Sequence, residues 1–118
     1  MKRHDFKKMR IWQDSMEITK EVYKLTSGFP KNEQYGLIQQ MRKAAVSIPS
    51  NIAEGCGRGS DPQLAHFLDI AQGSAFELET QLYLANELNF LGTDEMNILV
   101  TKLTTLQKMI DGFKRKIV

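Results

Sequence analysis

The sequence predicts an all-α fold: an up-down-up-down antiparallel four-helix bundle with its second helix kinked near Pro49. Four segments carry apolar residues at alternating steps of three and four, the spacing of one face of an α-helix. Corners rich in glycine and proline fall between them, at Gly28-Phe29-Pro30, from Gly55 to Ser60 and at Gly92-Thr93. No comparable stretch alternates apolar and polar residues between hairpin turns. Connections this short make consecutive helices antiparallel neighbours, and a bundle buries all four apolar faces.

The first helix steps through Ile11, Ser15, Ile18, Val22 and Leu25. Trp12, Met16, Thr19 and Tyr23 widen that face, and Asp14, Glu17, Lys20, Glu21 and Lys24 lie opposite. Gly28 accepts the left-handed C′ conformation and Pro30 cannot continue a helix, so the segment ends there. The second helix spans about Asn32 to Glu54, through Ile38, Met41, Ala45, Ile48 and Ile52. Its small residues, Ala44, Ala45, Ser47, Ser50 and Ala53, let a neighbouring backbone come close, which predicts a central place. Pro49 withholds the N–H that the Ala45 carbonyl would accept. The apolar steps continue past it, so a kink or local unwinding is expected rather than a break.

The third helix opens with Asp61 as N-cap and Pro62 at the first helical position. Leu64, Leu68, Ala71, Ala75, Leu78, Leu82 and Ala85 form its row, the longest in the chain. Thr93 is placed to cap the fourth helix, with Asp94 and Glu95 at its positive dipole end. Met96, Leu99, Leu103, Leu106, Ile110, Phe113 and Ile117 follow.

The 118 residues fit one domain, 1–118, large enough to bury a core without disulfides or metals. An apolar content of 42% with 25% charged residues is close to the globular average, which argues against disorder. No apolar run approaches the ~20 residues that span a bilayer, so no membrane partner is expected. No apolar stretch of a signal peptide follows the first residues. A single cysteine, Cys56, leaves no disulfide framework, and a cytoplasmic location is expected. The net charge is only +2 but unevenly spread. Residues 1–10, a basic N-terminal arm, hold Lys2, Arg3, Lys7, Lys8 and Arg10 against Asp5. Residues 108–118 hold Lys108, Lys114, Arg115 and Lys116 against Asp111, and the segment between is acidic. Such asymmetry points to an anionic partner.

Nothing in the chain assembles into catalytic machinery, so no enzyme and no cofactor is expected. A carboxylate metal bundle needs Glu-x-x-His pairs, but Gln63 stands three before His66, and the only other histidine is His4. Cys56 follows a helix C-terminus, where the dipole does not favour a thiolate, and no base is assignable to it. The run Gly55-Cys56-Gly57-Arg58-Gly59-Ser60 follows a helix rather than a strand and lacks Lys-Ser/Thr, so it reads as a corner rather than a phosphate loop. Ser47, Ser50, Asn51 and Glu54 around Pro49, with Ser74, Glu77 and Gln81 on the third helix, are expected to form a buried polar network serving the freed carbonyl.

The run Arg42-Lys43-Ala44-Ala45-Val46-Ser47-Ile48-Pro49-Ser50-Asn51-Ile52-Ala53-Glu54-Gly55, with Gly57-Arg58 after it, is the most distinctive in the chain. Together with Gly73-Ser74, Glu77-Leu78-Glu79-Thr80-Gln81-Leu82, Trp12-Gln13 and Phe29-Pro30-Lys31, it closely resembles the 23S rRNA intervening-sequence protein family, also called the four-helix-bundle protein family. The likeness covers almost the whole chain. It implies a small bacterial cytoplasmic protein with no catalytic residues. It is also similar to the accessory protein of diversity-generating retroelements, a bundle that forms a barrel-like homopentamer and binds nucleic acid and a reverse transcriptase. The resemblance therefore implies a homopentamer that binds RNA or DNA, with Arg42, Lys43 and Arg58 as the basic positions of the motif. The third helix departs from the family, with Gln63, His66 and Asp69 where Arg or Lys is frequent.

Outside the motif, Lys7, Lys8 and Arg10 complete the candidate phosphate contacts. Phe and Tyr fall mostly on apolar stripes, so no base-stacking platform is expected. The alternative is an oligomeric scaffold that docks a protein partner through the wide apolar face of Trp12, Met16 and Tyr23.

Overall fold

Each of the four periodic segments folds as an α-helix: α1 over Arg10–Thr26, α2 over Gln39–Cys56, α3 over Asp61–Glu87 and α4 over Thr93–Ile117. The computed structural model describes residues 4–118; Lys2 and Arg3 of the expected basic arm lie outside them. Among the described residues there is no strand.

Contacts between helices fix an antiparallel up-down order. Met9 and Thr19 face Cys56 and Ala45, which runs α1 against α2. Ser47 meets Ser74 for α2 and α3, Asp69 and Gln72 meet Lys114 and Gln107 for α3 and α4, and Glu21 meets Lys102 to close the ring. The apolar rows converge on one core, in which Val22, Met41, Ile48, Ile52, Leu68, Leu78, Leu82 and Leu103 lose all exposure. Each such side chain contributes about 1.5–3 kcal/mol relative to an exposed one.

The corners differ in detail from the expected caps. Ser60, not Asp61, caps α3: its Oγ accepts from the Gln63 amide, and Gln63 Oε1 accepts in return from Gly59 N and Ser60 Oγ. That is a variant of the Ser-x-x-Gln capping box, with the glutamine reaching the amide one residue before the cap. Thr93 is the first residue of α4 and makes no cap; Gly92 holds the cap position, and Thr93 Oγ1 accepts from Asn86 instead. α3 is closed by Asn89, whose φ of 63° is the left-handed conformation at C′. Phe90 N donates to Ala85 O and Asn89 N to Asn86 O, the paired bonds of a Schellman ending.

α2 passes through Pro49 without a break. The carbonyl that Pro49 leaves unserved is reached from α1: Thr19 Oγ1 is 3.0 Å from Ala45 O and 2.8 Å from Ser15 O, one hydroxyl proton shared by two acceptors. The expected donors on α2 and α3 do not serve it, because the Ala45 carbonyl opens toward α1. Backbone irregularity falls upstream of Pro49, where a 3₁₀ turn at Lys31–Glu33 leads into a π-helical turn at Gln34–Ile38. Gly36 there leaves helical angles altogether (φ −109°, ψ −112°), so regular α-helix begins only at Gln39, later than the expected Asn32.

Candidate nucleic-acid interface

The six candidate phosphate contacts fall into two groups. Lys7 and Lys8 occupy a 3₁₀ turn, Phe6–Lys8, capped by Asp5, and Arg10 opens α1 immediately after it. Arg58 follows the end of α2, at the same end of the bundle. Arg42 and Lys43 lie in the first turns of α2, roughly 20 Å away along the helix at about 1.5 Å per residue. The fold therefore does not bring the six into one patch.

Charge pairing separates them further. Arg10 lies 3.5 Å from Asp14, and Arg58 lies 2.8 Å from Glu54 with its guanidinium over the Phe67 ring. Lys7, Lys8, Arg42 and Lys43 have no carboxylate partner among the described residues. An even number of helices returns the chain to the end where it began, so the C-terminal lysines join the N-terminal ones. His4 packs edge-on against Phe113, and Met9, Arg10, Phe113 and Lys116 line a groove of about 390 Å³ between the two termini. Lys114 and Arg115 are partly neutralised there by Asp69 and Asp111.

Arg42 sits in the most built surroundings of the six. Its Nε donates to Thr26 Oγ1 at 2.9 Å, and its Nη2 reaches Tyr23 O and Ser27 Oγ at 3.3 Å. The guanidinium lies 4.6 Å from the centre of the Tyr23 ring. Beside it runs a groove of about 720 Å³ along α2, lined by Tyr23, Tyr35, Lys43, Val46, Ser50 and Asn51 among others. Tyr35 is 86% exposed and Tyr23 42% exposed. These two rings stand outside the expectation that Phe and Tyr fall mostly on apolar stripes and form no stacking platform. Helical spacing would put Tyr35 on the Ile38–Met41 row, but the irregular backbone at Gly36 breaks the phase and turns the ring outward.

Of the expected polar network, Ser47, Asn51 and Ser74 come together: Ser47 Oγ and Ser74 Oγ are 2.7 Å apart, and Asn51 Nδ2 donates to Ser47 Oγ and O. Ser50, Glu54 and Glu77 are exposed rather than buried, and Glu54 serves Arg58. Gln81 is buried, and its Oε1 has no hydrogen-bond partner among the described residues.

Cys56 ends α2 buried beneath Met9, and burial, assisted by Asp5, raises its thiol pKa, so it is no activated nucleophile. Gly55 lies inside α2 rather than in a loop. A Cβ there would fall 2.9 Å from Leu64 Cδ1 and from Phe67 Cβ, so this glycine permits close passage of α3 and not a phosphate cradle. Among the described residues no three His, Cys, Asp or Glu side chains are grouped to hold a metal ion. No described helix is long and apolar enough to cross a membrane.

Of the expected apolar face only Tyr23 is exposed, and the larger apolar surface lies elsewhere. Trp12 is half-buried against the core with Phe6 on its edge, and Met16 is half-buried. Ile70, Phe76, Tyr83 and Leu84 of α3, with Leu88 at its C-cap, are exposed large apolar residues, Phe76 being 54% exposed.

Comparison with known proteins agrees with this architecture. A family profile described as 23S rRNA-intervening sequence protein matches residues 7–112. A search of curated proteins finds no match. The bundle is similar to the crystal structure of a protein with unknown function from the S23 ribosomal protein family of Bacteroides thetaiotaomicron, with a TM-score of 0.77 and 22% identity over 88% of this chain and 97% of that one. At that identity the likeness speaks to the fold.

Proposed function

Because the chain belongs to the 23S rRNA-intervening sequence protein family, we propose that it is a non-enzymatic bundle that binds structured RNA or DNA through its basic residues. The observation that carries this reading is the meeting of both basic termini at one end of a molecule 48 Å long. There Lys7, Lys8 and Lys116 stand without carboxylate partners among the described residues. Arg10 and Arg58 remain available as well, since exposed i,i+4 ion pairs contribute only about 0.3–0.5 kcal/mol and yield readily to a phosphate. Arg42 and Lys43 complete the set at the other group.

One protomer with a net charge of +2 neutralises few phosphates. The reading therefore includes self-association as a homopentamer, as in the similar accessory protein of diversity-generating retroelements, which repeats the basic end around a ring. It also includes a single domain, 1–118, working in the cytoplasm. Equilibrium binding of duplex RNA and duplex DNA across a salt series, with sedimentation to count protomers, tests it. Contacts to ~6–10 phosphates predict a fall of about 10³–10⁵ in affinity between about 50 and 200 mM salt. Binding that is absent at low salt, or that does not change with salt, refutes the reading.

A second reading, a scaffold docking a protein partner, is favoured by the exposed apolar residues of α3. Capture of one specific protein that survives nuclease treatment, together with no salt-dependent nucleic-acid affinity, would select it.

A further inference from the structure

We propose that the groove between the C-terminal half of α1 and the N-terminal half of α2 binds unpaired nucleotides, with bases stacked on Tyr35 and phosphates held by Arg42 and Lys43. The proposal rests on the nucleic-acid reading above and adds to it a second contact, selective for single strands, at the group of cations remote from the basic termini.

The cation at the groove is fixed in advance. A guanidinium has five N–H donors. Thr26, Ser27 and the Tyr23 carbonyl occupy Nε and Nη2 of Arg42, and the ring of Tyr23 lies against its plane. Nη1 has no partner among the described residues, so its two donors stay available to an anion. The side chain is already ordered when a ligand arrives, which lowers the entropy lost on binding. Lys43, one residue on, lines the same groove without a carboxylate partner.

Aromatic surface lies beside these charges. Tyr35 is 86% exposed, so its ring is open to a stacking ligand. Tyr23 has its Arg42 side engaged and is 42% exposed. Ser50 and Asn51 supply hydroxyl and amide groups farther along, and Gln39 to Asn51 extends about 18 Å of helix. Exposed rings interleaved with unpaired cations are the surface that single-stranded nucleic acid uses: bases stack on rings and the backbone follows the positive charge. A duplex can use the charges but not the rings, because its bases are already stacked. An apolar helix of a protein partner would find only Val46 as an exposed aliphatic residue in this groove.

Fluorescence anisotropy with labelled oligo(U) and oligo(A) single strands, and with a duplex of the same length, tests the site on the full chain. Tyr35→Ala is expected to weaken single-strand binding at least about fivefold while changing duplex binding less than about twofold. Its fold effect should persist as salt is raised, because stacking is not screened, and Tyr35→Phe should retain most of the affinity. Lys43→Glu should weaken single-strand binding more strongly at low salt than at high salt. Both side chains are exposed, and circular dichroism checks that the variants keep the fold. If Tyr35→Ala and Lys43→Glu leave single-strand affinity intact while a Lys7→Glu, Lys8→Glu double variant weakens all binding, the groove proposal fails and the basic-end reading stands. If no strand or duplex binds at all, both fail. Loss of assembly mass in Tyr35→Ala or Lys43→Glu would overturn the proposal by showing that a second copy covers the groove.

Discussion

α2 and α1 treat their outer neighbours differently, and the contrast separates rigid parts of the bundle from adaptable ones. Where α2 meets α3, small residues let the helices pass closely. Gly55 passes Leu64 and Phe67 with no room for a Cβ, Ser47 reaches Ser74 directly, and Ala45, Ala71 and Ala75 are wholly buried. Where α1 meets α4, long side chains do the bridging. Glu21 pairs with Lys102 at half exposure, and grooves of about 310 and 390 Å³ open along the seam, against one of about 260 Å³ beside Ser47 and Ser74. Close-packed interiors transmit every change of volume, so the first seam fixes the position of α2 and the second leaves α4 room to adjust. The outward residues of the family-like run, Arg42, Lys43, Val46 and Ser50, are thus displayed on the most firmly held helix of the four.

Three variants would break or sharpen that contrast. Gly55→Val puts a branched side chain where a single Cβ already meets two neighbours at 2.9 Å. We expect a loss of about 3 kcal/mol in urea denaturation, at the upper end for overpacking. A loss under about 0.5 kcal/mol would mean that α2 and α3 separate easily, and the contrast would vanish. Thr19→Val keeps the shape but removes the hydroxyl that serves Ala45 O. The expected cost is about 1–2 kcal/mol for an acceptor left unmade, largely recovered in Thr19→Ser. A neutral Thr19→Val would show that solvent reaches the carbonyl. The smallest effect belongs to the open seam: a double-mutant cycle on Glu21→Ala and Lys102→Ala should give a coupling below about 1 kcal/mol that fades with salt. A salt-resistant coupling above about 2 kcal/mol would make the α1–α4 seam as specific as the other.

The helices were legible because the three-four repeat of apolar residues is a direct imprint of helical geometry on sequence. Their ends were less so. Asp61 and Thr93 looked like caps, but Ser60 had the better signature, a glutamine three residues on, and Asn89 rather than the expected Gly28 adopts the left-handed conformation. The candidate site was legible in composition and not in arrangement. Basic residues at both termini are visible in the chain, and an up-down path of four helices brings them to one end. The separation of Arg42 and Lys43 from that end follows from the same path. The outward ring of Tyr35 was not legible, because a periodic pattern assumes an unbroken helix, and Gly36 interrupts it. Ser50 and Glu54 lie near Ser47 in sequence, and Glu77 near Ser74, and helical spacing keeps them close to the same face, but each stands exposed at its solvent edge.

The lone thiol offers a way to watch one end of the molecule move. Cys56 is 5% exposed with Met9 Sδ 3.4 Å from its sulfur, just beyond the turn that presents Lys7 and Lys8. An alkylating reagent reaches it only when that N-terminal turn lifts off, and its raised pKa keeps the thiolate scarce in the meantime. Alkylation kinetics therefore clock the breathing of the basic tip, and a polyanion that clamps the tip down would slow the clock without touching sulfur.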